Sequence, residues 1–221
     1  MGIKSFDYDA EINYVPEKVS EDWSTDEWPD YLDEDGIMMP RLEAGSNREF
    51  FEFVIPSFEI SKMVCDIESK QLDVIESGQS KFSEVIEEEE NAIESGSEYE
   101  FWLDFDLGVR GAVLAISSIG GFPFTSCNAG SFIEDTRPHN ESHHPTIAFY
   151  CRRSSINIIE EIARKNQCGL RGYGECLVMG TGHIRNFSNF AIELLETAIA
   201  RGMEDCSPDN ADSTQTQLFD Y

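Results

Sequence analysis

The stretch YEFWLDFDLGVRGAVLAISSIGGFPFTSC, residues 99–127, decides the fold class of this chain. Residues 99–107 alternate apolar and acidic side chains, which predicts a half-buried strand. Residues 108–119 carry apolar side chains at helical spacing, and two glycines follow them as a stop signal. FPFTSC at 122–127 then predicts a second strand. The stretch therefore indicates a β-α-β unit.

Further strands and helices alternate after this unit. HPTIAFYC at 144–151 predicts a strand that is apolar enough to be central in a sheet. Ser154 or Ser155 begins a predicted helix that ends at Gly169, GECLVMG at 174–180 predicts another strand, and 187–201 predicts the last helix. The order β-α-β-β-α-β-α favours an α+β fold, a ferredoxin-like split βαβ sandwich with an acidic N-terminal strand/helix extension.

The extension precedes this compact domain. Residues 49–60 are dense in phenylalanine and predict a strand, and 61–94 predict a helical segment that Gly78 interrupts. The helical spacing places Met63 and Ile67 on its inner face. We therefore divide the chain into an acidic, aromatic-anchored arm at 1–48, a strand-helix extension at 49–97, a compact α/β domain at 98–203 and a loose tail at 204–221.

The charge of the chain is strongly acidic and unevenly distributed. The formal net charge is −27, and residues 1–94 hold 26 acidic but only 7 basic side chains. Such a chain is repelled by nucleic acids and by anionic membranes, and it is attracted to basic proteins. A general solubilising role of the acidic surface is the alternative interpretation.

Localisation and redox state follow from simpler features. The sequence has no long apolar run, and its N-terminus has acidic residues where a secretory signal needs apolar ones. We therefore expect a cytoplasmic, bacterial protein that does not enter a membrane. Its six cysteines have no CxxC spacing, and we expect them to be reduced and mostly buried.

The acidic arm carries aromatic residues that disordered segments rarely have, among them Tyr8 and Tyr14. We interpret two others, Trp23 and Trp28, as anchors that dock the arm on the protein's own body or on a partner. The part of the arm around its two tryptophans is the predicted partner-binding segment. Its candidate residues are Trp23, Asp26, Glu27, Trp28, Asp30, Tyr31, Asp33, Glu34 and Asp35.

The turn FPFTSCNAG at 122–130 is the main candidate for a pocket. It places a thiol among small and polar residues at the end of a strand. A nucleophilic cysteine needs a base, which a histidine of the following loop would supply. An ordinary structural turn is the alternative. The ligand-binding candidates are Thr125, Ser126, Cys127, Asn128, Gly130, His143 and His144.

A metal site is not predicted in the histidine loop, 137–145. His139 and His143 have the spacing of a zinc-ligand pair, but the matching cysteine pair is absent from the sequence. A polar loop that covers the turn is the simpler interpretation.

TSCNAG at 125–130 and PTIAFYCRRSSINIIEEIARKNQCGLRGYG at 145–174 together resemble the wybutosine-synthesis methyltransferases that modify tRNA. Ser126, Cys127 and Gly130 match the family's strand-turn, and the later matching positions are Phe149, Arg152 and Arg171. The resemblance covers about residues 98–200. It implies a shared fold and S-adenosylmethionine as a ligand of the turn. The chain departs from the family pattern at Thr125, Asn128 and Ser131.

Three functional hypotheses follow from these observations. The first is an acidic accessory or immunity-type protein that binds a basic protein partner through its N-terminal half. The second is a small-molecule-binding enzyme with its site at the FPFTSCNAG turn, and the third is a nucleic-acid mimic that inhibits a DNA-binding protein. No residue is assigned a catalytic role, and direct nucleic-acid binding is not expected.

Overall fold

The computed structural model describes residues 2–19, 56–94, 105–133, 135 and 143–206. The predicted partner-binding segment, from Trp23 to Asp35, lies outside these ranges. Most of the two predicted strands at 49–60 and 99–107, His139 and the chain after 206 lie outside them as well.

Five strands and five helices make up the described part of the chain. The strands are β1 (Ile12–Asn13), β2 (Gly121–Cys127), β3 (Thr146–Cys151), β4 (Cys168–Tyr173) and β5 (Cys176–Thr181). The helices are α1 (Phe58–Glu76), α2 (Phe82–Glu94), α3 (Arg110–Ser118), α4 (Arg153–Lys165) and α5 (Arg185–Ala200). The α+β class is confirmed, and none of the described helices is long and apolar enough to cross a membrane.

The five strands form one mixed sheet in the order β1-β4-β5-β3-β2. Strand β5 is central and antiparallel to both neighbours, so β3 and β4 are parallel to each other. Strand β2 is antiparallel to β3, and the short β1 runs parallel to β4. One row across the sheet reads Cys127, Thr146, Gly180 and Gly169.

The ferredoxin-like order is not confirmed. That order places the predicted strand at 99–107 beside β3, but β3 is already flanked by β2 and β5. The sequence also predicted that the helix now called α4 ends at Gly169. It ends instead at Lys165. Gln167 then takes a positive φ of 54° and Gly169 lies inside β4, a strand that the sequence did not predict.

The main core lies between the sheet and the helices. Helices α1, α3 and α5 pack on one another, and α4 packs on α5 and β4. Ile147, Leu170 and Met179 form one row across β3, β4 and β5 and belong to this core. Because side chains alternate along a strand, the row formed by Thr146, Gly180 and Gly169 faces away from the helices.

Helices α1 and α2 replace the single helical segment predicted at 61–94. Helix α1 begins earlier than predicted, at Phe58, because the Ser57 hydroxyl accepts a hydrogen bond from the Ile60 amide (3.3 Å). Residues 58–60 are therefore helical rather than part of a strand.

The predicted inner face of α1 was wrong by about one residue. Met63 and Ile67 are exposed. The side of α1 that faces the core carries a charged residue, Glu68, among its apolar ones. Apolar spacing alone therefore does not identify this side. Its buried members are Ser61, Val64, Cys65, Glu68, Leu72 and Ile75.

The buried carboxylate of Glu68 caps helix α3. Its side chain is only 1% exposed, and it accepts hydrogen bonds from the amides of Gly108 (2.7 Å), Arg110 (3.0 Å) and Gly111 (3.0 Å). The residue before the helix, Val109, offers no side-chain cap. Glu68 thus satisfies donors that the first turn of a helix leaves open, and its charge complements the helix dipole.

A second, partly buried contact joins α2 to the start of α3. The Arg110 guanidinium donates two hydrogen bonds to the Glu89 carboxylate (2.6 and 3.0 Å) and one to the Phe105 carbonyl (2.8 Å). Gln71 of α1 also donates to Glu89 (2.6 Å). Burial raises the pKa of the Glu68 carboxyl, and the Arg110 charge and the three amide donors oppose that rise. Three helices therefore meet at one network of buried charges.

We predict that Glu68→Ala lowers the free energy of unfolding by about 3 kcal/mol, because it leaves a buried helix terminus and the Arg110 charge without this partner. Urea denaturation monitored by circular dichroism measures the change. Glu59→Ala removes an exposed carboxylate from the same helix and is the control, with an expected loss below about 1 kcal/mol. Equal losses in the two variants would contradict the capping role.

Candidate functional site

The FPFTSCNAG turn is held together by the side chain of Asn128. This side chain is fully buried, donates to the Leu107 carbonyl (3.2 Å) and accepts from the Gly130 amide (3.0 Å). The backbone carbonyl of Asn128 accepts hydrogen bonds from both the amide and the hydroxyl of Ser131. Ala129 and Gly130 take positive φ angles of 53° and 63°. Asn128 and Gly130 therefore shape the turn from within, as an Asx turn does.

The polar residues of β2 point to two different sides of the sheet. Ser126 pairs with Ile147, whose side chain belongs to the helix-side core. By strand alternation Thr125 and Cys127 lie on the opposite side, which faces away from the helices. Of the candidate residues on β2, only Thr125 and Cys127 therefore lie on the side that faces away from the helices, which we call the outer sheet face.

Cys127 lies at the end of β2 on the outer sheet face. Its side chain is 7% exposed, and its sulfur accepts a hydrogen bond from the Ala129 amide (3.2 Å). Thr146 lies directly across from it on β3, and Gly180 of β5 comes next in the same row.

The other described cysteines are poor nucleophiles because they are protonated at neutral pH. Burial raises the pKa of Cys151 to about 12 and that of Cys176 to about 11. Burial also raises the pKa values of Cys65, Cys168 and Cys206. All six thiols are free, and five of them are buried, as the sequence predicted.

His144 lies against Gly180, two strands away from Cys127. Its Nε2 atom lies 3.0 Å from the position that a Cβ atom on Gly180 would occupy. Two strand spacings correspond to about 10 Å. Burial lowers the pKa of His144, and Arg171 and His143 lower it further, so the imidazole is neutral at neutral pH. His143 is exposed at the start of the same segment.

The N-terminal segment, residues 2–19, crosses the sheet and reaches this histidine. Its backbone forms four hydrogen bonds with the body: Ile133 donates to Gly2 (2.9 Å), Lys4 to Ser131 (2.7 Å), Phe6 to Gly182 (2.7 Å) and Leu170 to Glu11 (2.9 Å). The Lys4 ammonium also donates to the Gly130 carbonyl (2.6 Å). Sequence reasoning missed this strap, which we define as residues 2–19.

Tyr8 of the strap occupies a hollow floored by glycines. Cβ atoms on Gly169 and Gly180 would lie only 2.5 and 2.7 Å from its hydroxyl oxygen. Its ring centroid is 4.4 Å from that of His144, and the Arg171 guanidinium carbon lies 5.9 Å from its ring centre. Burial raises the pKa of Tyr8. The glycines therefore make room for an aromatic ring that comes from the chain itself.

Tyr14 anchors the strap at a second place. Its hydroxyl donates to the Glu160 carboxylate of α4. That bond and the neighbouring Arg164 lower the pKa of Glu160, while burial raises the pKa of Tyr14. Tyr8 and Tyr14 therefore dock the first part of the arm on the protein's own body, whereas the predicted anchors Trp23 and Trp28 lie outside the described residues.

The residues that carry the family resemblance lie in different environments. Phe149 is fully buried in the core. Arg152 is exposed where α4 begins, and Arg171 is exposed on β4 beside Tyr8. Of these three, only Arg171 lies in the same cluster as His144.

A separate candidate surface is the outer side of α2. Glu84, Glu87, Glu88 and Glu90 are exposed there, and none forms an ion pair with another described residue. The fifth acid of this stretch, Glu89, points inward to Arg110. We call these four exposed residues the α2 acidic face.

Metal binding has no support in the described ranges, where no three His, Cys, Asp or Glu side chains lie close enough to hold an ion. The outer sheet face instead offers a thiol, hydroxyls, a neutral imidazole and one guanidinium. This set is suited to hydrogen bonding with an aromatic or anionic small molecule.

We predict that Asn128→Ala lowers the free energy of unfolding by roughly 2 kcal/mol, because a buried amide and a buried carbonyl lose their partners. Thermal and urea unfolding measure the loss, and Asn189→Ala, at an exposed position of α5, is the control. If Asn128→Ala is as stable as the control, the turn does not depend on this side chain.

Comparison of the chain with protein-family models, with curated proteins and with solved structures finds no match.

Proposed function

We propose that this chain is an acidic accessory protein, of the immunity type in a bacterial cytoplasm, that binds a basic protein partner. The observation that carries the proposal is the α2 acidic face, four exposed carboxylates on a helix that has no basic residue. Residues 56–94 as a whole hold 11 acidic and three basic side chains. The predicted segment Trp23–Asp35 adds further acidic residues to the N-terminal half of the chain.

The arrangement of α2 supports a partner that supplies cations. Glu84 lies three and four residues before Glu87 and Glu88, and Glu87 lies three before Glu90, so like charges are neighbours on the helix surface. Glu84 lies in the first turn, where it accepts a hydrogen bond from the Lys81 amide (2.9 Å) and its charge complements the helix dipole. The unfavourable contacts are therefore those between neighbouring glutamates. The helix retains these unfavourable contacts, and a basic partner relieves them.

The partner's charge sets how binding responds to salt. Complementary charges accelerate association, and the attraction between them weakens as ionic strength rises because the Debye length shortens. Capture of basic proteins from a native lysate by the immobilised chain is therefore expected at low salt and is lost at high salt. A capture that does not change with salt argues against the electrostatic part of the proposal.

We predict that replacing Glu84, Glu87, Glu88 and Glu90 with glutamine weakens binding of a decalysine peptide at least tenfold, about 1.4 kcal/mol. Fluorescence anisotropy of a labelled peptide measures the dissociation constant. The control replaces Glu17, Glu175, Glu196 and Glu204, four exposed acids outside α1 and α2, with the same loss of charge. If both variants lose affinity equally, net charge alone attracts the peptide and the α2 acidic face is not the site.

A second proposal is a small-molecule-binding enzyme that uses the outer sheet face. It is favoured by the placement of Thr125 and Cys127 on one surface, with Thr146 directly across from Cys127, and by the neutral imidazole of His144 beside Gly180 of the same row. The resemblance of the FPFTSCNAG turn to the wybutosine-synthesis methyltransferases indicates S-adenosylmethionine as the first ligand to try.

For this second proposal we predict that S-adenosylmethionine raises the melting temperature of the wild type and not that of Cys127→Ala, because a ligand stabilises only the state that binds it. Differential scanning fluorimetry makes the measurement, with Cys206→Ala as the control thiol. A shift that persists in Cys127→Ala would place the ligand elsewhere, and no shift in the wild type argues against this ligand.

A further inference from the structure

The strap is hydrogen-bonded to the body on both sides of Tyr8 but not at Tyr8 itself. The Phe6 amide donates to the Gly182 carbonyl (2.7 Å), and the Leu170 amide donates to the Glu11 carbonyl (2.9 Å). Between these two bonds, residues 7–10 form no backbone hydrogen bond with a described residue of the body. Residues 7–10 therefore lie on the outer sheet face in a way that lets them move off it while both flanking bonds stay intact.

The side chain of Tyr8 is what fixes these four residues. Tyr8 is partly buried, whereas the other three residues are exposed. Its ring lies over Gly169 and Gly180, which pair with each other across β4 and β5. A Cβ atom on Gly180 would lie only 2.7 Å from the hydroxyl oxygen and 2.8 Å from the ring carbon that bears it. The ring fits because these two strand positions have no side chain.

Tyr8 is held by its shape rather than by hydrogen bonds. Its hydroxyl forms no hydrogen bond with a described residue, whereas the Tyr14 hydroxyl donates to the Glu160 carboxylate. A buried tyrosine usually satisfies its hydroxyl. Tyr8 is therefore the weaker of the two anchors, and its release leaves the strap attached at Tyr14.

His144 forms one wall of the hollow that Tyr8 occupies. The two ring centroids are 4.4 Å apart, and the rings are tilted by 39°. The Nε2 atom of His144 lies 3.0 Å from the Cβ position of Gly180, next to the Tyr8 hydroxyl. Because the two rings are in contact, release of Tyr8 exposes the imidazole to water.

The charges around the two rings oppose a proton on His144 while Tyr8 is in place. Burial lowers the pKa of His144, and Arg171 of β4 and His143 of its own segment lower it further. Cys168 of β4 and Asp9 of the strap act on the other ring and raise the pKa of Tyr8. A proton binds His144 more readily once the imidazole is solvated.

We infer that residues 7–10 form a latch, closed by the Tyr8 side chain and opened when His144 takes up a proton. This inference depends on neither of the proposed functions. An open latch uncovers Gly169 and Gly180, which lie in one row with Thr146 and Cys127 on the outer sheet face. The strap thereby controls access to that part of the face.

The pH dependence of the latch has a definite sign. The pKa of His144 is lower with the latch closed than with the latch open, because the Tyr8 ring contributes to its burial. The closed state is therefore fully favoured above the ordinary histidine pKa of about 6.5, and it is lost as the pH falls below that value.

Nuclear magnetic resonance relaxation of the full-length protein tests closure by Tyr8. At about pH 7.5 we expect backbone order parameters near 0.85 for residues 7–10 in the wild type and below about 0.6 in Tyr8→Ala. Gly180→Ala keeps the tyrosine but displaces its ring, and we expect the same loss of order. Tyr14→Phe, which removes the hydrogen bond to Glu160, is the control and is expected to leave the latch ordered.

Amide hydrogen exchange in the same variants shows whether the latch moves alone. The amides of Lys4, Phe6 and Leu170, which bond the strap to the body, are expected to stay protected in Tyr8→Ala. A loss of protection there shows that the strap moves as one unit and overturns the inference. A latch that stays ordered in both Tyr8→Ala and Gly180→Ala overturns it as well.

A second measurement at about pH 5 tests the role of His144. The order parameters of residues 7–10 in the wild type are expected to fall toward those of Tyr8→Ala. His144→Phe keeps an aromatic ring that cannot be protonated, and we expect its latch to stay ordered at both pH values. His183→Gln is the control, because His183 pairs with Ser5 of the strap, and it is expected to behave as the wild type does.

The imidazole resonances of His144 give the matching titration. We expect the pKa of His144 to rise in Tyr8→Ala and to stay unchanged in Tyr14→Phe. A wild-type latch whose order is the same at both pH values overturns control by His144. A pH response that persists in His144→Phe, or that disappears in His183→Gln, overturns it too, because the proton then acts elsewhere.

Discussion

The buried carboxylate of Glu68 is the contact on which the rest of the structure depends. It receives three amide donors from the start of α3, and the arginine in that same turn pairs with Glu89. A buried charge that loses its partner costs several kcal/mol. Helices α1, α2 and α3 therefore form a stable arrangement only together, because each supplies a charge or a donor that another one needs.

The same short segment is held from its other side by the FPFTSCNAG turn. Asn128 donates its side-chain amide to Leu107 and its backbone amide to the Asp106 carboxylate (3.3 Å), directly before the residues that Glu68 binds. The positions of the helical layer and of strand β2 are thus linked through residues 106–111. A polar turn that resembles a ligand site is, at Asn128 and Gly130, a structural joint, whereas Thr125 and Cys127 lie on the outer sheet face.

The sequence predicts the helices and strands whose apolar spacing is regular, and it fails where a polar or charged side chain is buried. Helix α3 and strands β2, β3 and β5 follow from apolar spacing and from glycine stops. Glu68 could not be recognised as a core residue, because a glutamate in a helix is usually solvated, and this shifted the predicted inner face onto Met63 and Ile67. Strand β4 was missed because its glycines resemble a helix stop, whereas Gly169 is there to make room for Tyr8. The candidate site was only partly predictable for a related reason: a sequence shows that Asn128 is polar but not that its hydrogen bonds are satisfied within the turn.

The distribution of ion pairs explains why an acidic surface persists on one side of the helical layer. Several cations of the described body pair with the chain's own acids: Arg110 pairs with Glu89, and Arg185 pairs with Asp73 and Glu76. Helix α4 and its neighbours neutralise one another in the same way, through Arg164, Lys165 and Arg201. Among the described side chains of α2, only Glu89 has such a partner. The four outward carboxylates form no ion pair with a described residue, so the fold that turns Glu89 inward to Arg110 leaves the α2 acidic face on the surface.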